Sequence, residues 1–393
     1  MFWKEKINRK NRGRLLILYF LTLLLALSSA LPAYIQSNFL GQFINLKMIG
    51  LLFVIANLLS VIAIWVFPGL IKKLTNYFLT KITLLLYGVS LLGLTMATGP
   101  IMACLAIIIF IVSYNLIWIN MDVLIESFST NAITGKIRTI YFTFINTGWI
   151  LSPILAAYLI GQGEYSLTFL IAAVLVIPAF LIFFYQSRKL KDRVAYKKSP
   201  LRKIIKTMWR DKNLRGIFFI ALLLQLFYSG AVIYIPFYLY QNLQMSWPAL
   251  GIIFSLMLIP FIILEIPAGI IADKYLGEKE MLITGFVILT IALFLFFYVS
   301  APIVWLWALI LFFSRCGAAL VESMRETYFF KLVSVKDVGL INIFRTTGPL
   351  GYLIGSGLAI AVVLFFPLNY LFLAMAIIML SGIGFAISLK DTK

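Results

Sequence analysis

Hydrophobic residues run through this chain in long unbroken stretches, separated by short polar or basic interruptions. The stretches are too long for strands and do not alternate, which excludes a β-barrel. A helix needs about 20 mostly apolar residues to cross the hydrocarbon of a bilayer. The pattern therefore predicts twelve spans, near 15–36, 47–68, 79–97, 100–125, 139–160, 166–186, 216–240, 248–270, 281–299, 303–326, 339–362 and 368–388. The first run follows a basic tail, as in a signal peptide, but it is long enough to span and more spans follow. It reads as a retained helix. Connections are short except between the sixth and seventh spans. That one divides the chain into a bundle over 1–187, a basic linker over 188–215 and a second bundle over 216–393. The expected fold class is an all-α integral membrane protein of twelve transmembrane helices in two six-helix bundles.

Composition removes the alternatives. The chain is 63% hydrophobic with a mean hydropathy of +1.04, against about 45–50% apolar in soluble domains. The net charge of +19 would suggest nucleic acid in a soluble protein. Here six cations lie in the N-terminal tail, from Lys4 to Arg14, and twelve lie between Arg188 and Arg215. Lys72, Lys73, Lys81, Lys136, Arg138, Lys274, Lys279, Lys331, Lys336, Lys390 and Lys393 fall on the same side, and only Lys47 and Glu164 oppose them. Cations in short loops stay on the cytoplasmic side. The expectation is a multi-pass protein of the cytoplasmic (inner) membrane with both termini cytoplasmic, touching anionic lipid and not nucleic acid. In the linker, Ser199-Pro200 is a helix start, with Leu201, Ile204, Ile205, Met208 and Trp209 on one face and Arg202, Lys203, Lys206, Arg210 and Lys212 around the rest. The segment reads as an amphipathic helix on the leaflet, or else as an ordinary basic linker. With no histidine, two cysteines inside apolar runs and no phosphate-binding loop, an enzyme, a metal site, a disulfide framework and a cofactor are not expected.

The two halves repeat. At a shift of 200 residues Asp122 meets Glu322, Glu126 meets Glu326, Phe144 meets Phe344, Gly69 meets Gly269, and Thr147-Gly148 meets Thr347-Gly348. At a shift of 204, Pro32, Tyr34 and Asn38 meet Pro236, Tyr238 and Asn242. Acids, prolines and glycines do not match this way by chance, so the bundles are pseudo-symmetric. Two similar bundles can rock about a site at their interface, which gives alternating access.

Charges at membrane depth default to function. Arg315 lies near the middle of the tenth span, and its repeat partner is Asn115 on the fourth. Arg315 must face a cavity, a carboxylate or an anionic ligand; a structural ion pair or a carbonyl contact is the alternative. Asp122, Glu126, Glu265, Glu322, Arg325 and Arg345 lie in the cytoplasmic third of their spans. They are candidates for proton coupling or for gate ion pairs, with Asp122, Glu265 and Glu322 as proton carriers. Tyr34, Tyr238, Trp118 and Gln225 add polar or aromatic edges suited to organic substrates, although rings are abundant enough for packing to explain each.

Three stretches carry a family resemblance over essentially the whole chain. The run from Gly269 through Asp273, Lys274 and Gly277 to Lys279 resembles motif A of the major facilitator superfamily. Its counterpart in the first half has Lys73 in place of the acid. Gly148 to Pro153, followed by Ala156-Ala157, and Gly348-Pro349-Leu350-Gly351 resemble that superfamily's motif C, found in exporters, where small residues allow tight helix contact. The resemblance implies the superfamily's fold, a central cavity lined by the first, fourth, seventh and tenth spans, and close helix approach at Gly269. It also implies a latch at Asp273, grouped with Glu322, Arg325 and Arg345. The chain looks like a twelve-span drug/proton antiporter: a monomer taking a small-molecule substrate, protons or another coupling ion, and no cofactor. Uptake of an organic anion bound by Arg315, and a non-transporting scaffold or sensor, remain open.

Overall fold

The structure is a computed structural model and describes residues 9–127, 134–161, 164–185, 201–333 and 337–390. Among the described residues, twelve helices are long and apolar enough to cross a membrane: Gly13–Ala33, Leu46–Phe67, Asn76–Thr95, Pro100–Ile125, Ile140–Ile160, Ser166–Tyr185, Lys212–Asn242, Trp247–Ile271, Glu278–Tyr298, Val304–Leu332, Gly339–Val363 and Tyr370–Ser388. We refer to them as the first to twelfth spans. Each predicted span falls on one of them, and no strand occurs among the described residues. In hydrocarbon a backbone amide finds a partner only within its own helix or a closed barrel, so long apolar runs must be helical. The third span shows why lipid is the solvent. Leu84, Tyr87, Leu91 and Leu94 are buried, while Leu85, Leu86, Val89 and Leu92 on the other face are exposed yet equally apolar.

Contacts group the chain into two units, Met1–Ile35 with Ile62–Ala195, and Gln36–Val61 with Tyr196–Lys393. The division falls inside the second span. In the first unit, the first span packs on the fifth and sixth, and the third on the fourth and sixth. In the second unit, the seventh span packs on the eleventh and twelfth, and the ninth on the tenth and twelfth. Each pairing recurs six spans later, which is the repeat expressed as packing.

Small and polar residues set the helix contacts, since lipid removes most of the hydrophobic drive between spans. A Cβ added to Gly285 would lie 2.9 Å from the Gly317 carbonyl oxygen, and one added to Gly317 would lie 2.7 Å from that of Gly285. The ninth and tenth spans therefore touch backbone to backbone. The matching third and fourth spans use amides instead: Asn120 Nδ2 donates to Thr83 Oγ1 at 3.2 Å and Asn76 Nδ2 to the Asn120 carbonyl at 3.3 Å. Around Pro236, which lacks an N–H, the seventh span widens to π-type turns, with Ile235 donating to Gly230 and Leu243 to Tyr238.

The expected linker helix is present over Leu201–Arg210, while Ser199 and Pro200 lie outside the described residues. Met208 is buried, Ile204 abuts Gly339, and Ile205 and Trp209 are exposed. Its apolar face is thus turned partly onto the second unit. Asp211 follows it and caps the seventh span, accepting from the Asn213 and Leu214 amides at 2.8 and 3.0 Å.

Candidate functional site

The tenth span carries a line of charges through the second unit. Arg315 is 1% exposed. Its guanidinium carbon lies 5.2 Å from the Phe227 ring centroid and 5.7 Å from that of Tyr228, both on the seventh span. Its Nε and Nη1 have no hydrogen-bond partner among the described residues. Ring faces offset part of the cost of burying that charge, about 2 kcal/mol when desolvated, but they do not satisfy its N–H groups.

Two helical turns further on lies Glu322. The Tyr228 hydroxyl donates to its Oε2 at 2.5 Å, so one tyrosine touches Arg315 with its ring and Glu322 with its oxygen. Arg325 Nη2 lies 3.6 Å from Glu322 Oε1 and 3.8 Å from Glu326 Oε1. Arg345, on the eleventh span, forks onto Glu326, with Nη1 to Oε1 at 2.6 Å and Nη2 to Oε2 at 3.2 Å. The Arg325 guanidinium lies 5.9 Å from the Phe344 ring centroid, and Phe344 stacks on Phe329 at 4.0 Å. Spacings of three and four put Glu322, Arg325 and Glu326 on one helix face. Within this group two guanidiniums meet two carboxylates in three ion pairs, and Arg315 sits at the end away from them.

The structure brings Glu322, Arg325 and Arg345 together as the sequence suggests, and adds Tyr228 and Glu326. Glu326 is the hub; the sequence places it among expected salt bridges but does not single it out as a site residue. The signal was its place one turn after Glu322. The side chains of Glu126, Glu265, Asp273 and Lys274 lie outside the described residues. Near Asp273 the described acid is Glu278, buried and ion-paired with Lys331. Gly277 has φ +101° and donates to the Ala272 carbonyl at 2.9 Å, a turn that favours glycine, and Lys279 is half-buried beside it. Gly269 differs from expectation. Nothing lies within 4 Å of an added Cβ, because this end of the eighth span is exposed at Ile270 and Ile271.

The other candidates occupy varied places. Gln225 is half-buried on the seventh span with Gly351 packed against it. Tyr238 is buried edge-on to Trp307 and Phe372 in the core of the second unit. In the first unit Tyr34 is buried edge-on to Trp149. Trp118 is half-buried between the Tyr114 and Tyr141 rings. Asp122 is half-buried, and Asn115 donates from Nδ2 to the Ile111 carbonyl of its own helix at 2.9 Å. Gly148 abuts the first span, where an added Cβ would lie 2.6 Å from Ala26 Cβ, and Pro153 is buried nearby. Gly348 has open space instead. The matching contact of the seventh and eleventh spans falls three residues later, at Gly351, with Pro349 buried between.

A family model described as Major Facilitator Superfamily matches residues 115–259 and 217–392. The chain belongs to the major facilitator superfamily. Its fold is also that of solved transporters. One is a bacterial homologue of the human lysosomal transporter Spinster in an inward-facing, unoccupied conformation, with a TM-score of 0.71, 12% identity and 96% of each chain covered. Another is a POT family transporter in complex with 5-aminolevulinic acid, with a TM-score of 0.74, 13% identity, and 96% of this chain and 95% of that one covered. By sequence, no curated protein matches the chain. This superfamily member is a multi-pass integral membrane protein and a secondary transporter of a small-molecule substrate.

Proposed function

We propose that this transporter exports small organic molecules in exchange for protons, by alternating access across the cytoplasmic membrane. The observation that carries this reading is the Glu322 carboxylate inside the tenth span. Its side chain is 35% exposed, held by the Tyr228 hydroxyl and close to Arg325. A proton arriving on Glu322 removes its attraction for Arg325 and leaves that arginine to Glu326. The cluster then has two arrangements that differ by one proton, which is what coupling requires. The motif C-like stretches at Gly148–Pro153 and Gly348-Pro349 favour export. Arg315 is the substrate contact: an anionic or strongly polar group reaching it would satisfy the N–H groups that the rings do not.

Those same N–H groups favour a second reading, uptake of an organic anion held by Arg315. Both are tested in liposomes carrying the purified protein under an imposed pH gradient, with a panel of cationic, neutral and anionic substrates. Export predicts outward movement of a substrate that carries a strongly polar group, coupled to proton movement in the opposite direction. Glu322→Gln is expected to retain substrate exchange and to lose proton-driven accumulation, and Arg315→Ala to lower turnover at least tenfold. Substrate movement without proton flux defeats the coupling. Transport of anions alone, inward and lost in Arg315→Ala, selects the second reading.

A further inference from the structure

At the end of the seventh span next to the surface helix, a groove of about 410 Å³ opens between the seventh and twelfth spans. Lys212 and Arg215, one turn apart, form one wall; Ser381, Gly384, Phe385 and Ser388 form the other. Gly384 faces open space, since a Cβ added there meets nothing within 4 Å. Phe385 is stacked on Phe219 at 4.9 Å, which fixes the apolar floor. Below the groove the twelfth span presents Ile377 and Leu380, and Ile387 lies level with it, all exposed.

The polar groups at the mouth are sorted by charge. Ser381 and Ser388 donate to the carbonyls of Ile378 and Phe385 at 2.7 and 2.8 Å, so they offer lone pairs and no spare proton. Asp211, the nearby acid among the described residues, is turned onto the Asn213 and Leu214 amides. Recognition of a ligand therefore falls to the two exposed cations. Arg215 Nη1 donates to the Trp209 carbonyl at 3.3 Å, which orients the guanidinium. Trp209 is itself exposed, and exposed tryptophans mark headgroup depth. The adjoining helix adds Arg202, Lys203, Lys206 and Arg210, all exposed.

We propose that this groove binds an anionic phospholipid, with its phosphate between Lys212 and Arg215 and an acyl chain along the face of Ser381, Gly384 and Phe385. A basic mouth above an apolar, lipid-facing wall fits a headgroup with its tail attached. A soluble anion would use the mouth alone. Basic pockets between spans hold lipid headgroups in this way.

Native mass spectrometry of the full-length protein, loaded with phosphatidylglycerol or phosphatidylcholine, tests this. The wild type is expected to retain phosphatidylglycerol preferentially. Lys212→Gln/Arg215→Gln should lower retention by at least about fivefold, the weight of one surface cation. Gly384→Leu keeps every charge, fills the groove and should lower retention too; it also serves if the double variant does not fold. Lys47→Gln, at the start of the second span, should change nothing. Equal retention of the two lipids overturns the proposal, as does undiminished retention in folded Gly384→Leu. Displacement of phosphatidylglycerol by millimolar inorganic phosphate overturns it in favour of a soluble anion.

Discussion

Glu326 holds Arg345 through two hydrogen bonds and stands 3.8 Å from Arg325, so one carboxylate serves two cations. Glu326→Gln keeps the shape and removes the charge. Hydrogen bonds to charged groups contribute about 1.5–3 kcal/mol each, so this variant should melt several degrees lower in detergent than the parent. An unchanged melting temperature would mean that the pair is dispensable. The importance of Glu326 was only half visible in the sequence. The spacing from Glu322 showed a shared face, but which acid would receive Arg345 depends on how the eleventh span packs, and no local pattern encodes that. The same limit applies to Tyr228. Its neighbours Arg315 and Glu322 lie nearly a hundred residues away and meet it only because the seventh and tenth spans are adjacent.

Among elements, the helices themselves were fully legible. An apolar run longer than a bilayer is thick has one solution, and all twelve appear where the runs are. Helix contacts were less legible, because glycine marks a contact only when a neighbour faces it. Gly285 and Gly317 face each other's carbonyls, whereas Gly269 and Gly348 face open space. Gly285→Val should therefore overpack the ninth and tenth spans and destabilise by about 1–3 kcal/mol, read as a lower melting temperature. Gly348→Ala should leave melting unchanged. Equal effects of the two would show that proximity at Gly285 carries no energetic weight. The motif C resemblance named the right stretch, and within it the close approach of the second half is made by Gly351 and not by Gly348.

The whole molecule is a repeat whose packing plan is shared and whose charges are shared only in part: the acids at 122/322 and 126/326 recur, the arginine at 315 does not. Lysine and arginine placement predicts cytoplasmic termini. In a background with Cys104 and Cys316 replaced, Lys47→Cys should react with an impermeant thiol reagent in intact cells, and Arg202→Cys only after the membrane is opened. The reverse pattern would invert the topology.

The packing plan passed to both halves, but the contrast between Asn115 and Arg315 did not. Asn115 spends its amide on its own helix at Ile111, while Arg315 leaves two nitrogens without partners. The halves are therefore not interchangeable. A hybrid made by joining two copies of residues 1–187 would keep twelve spans, yet carry asparagine at both positions. It would inherit the packing plan twice and the buried guanidinium not at all.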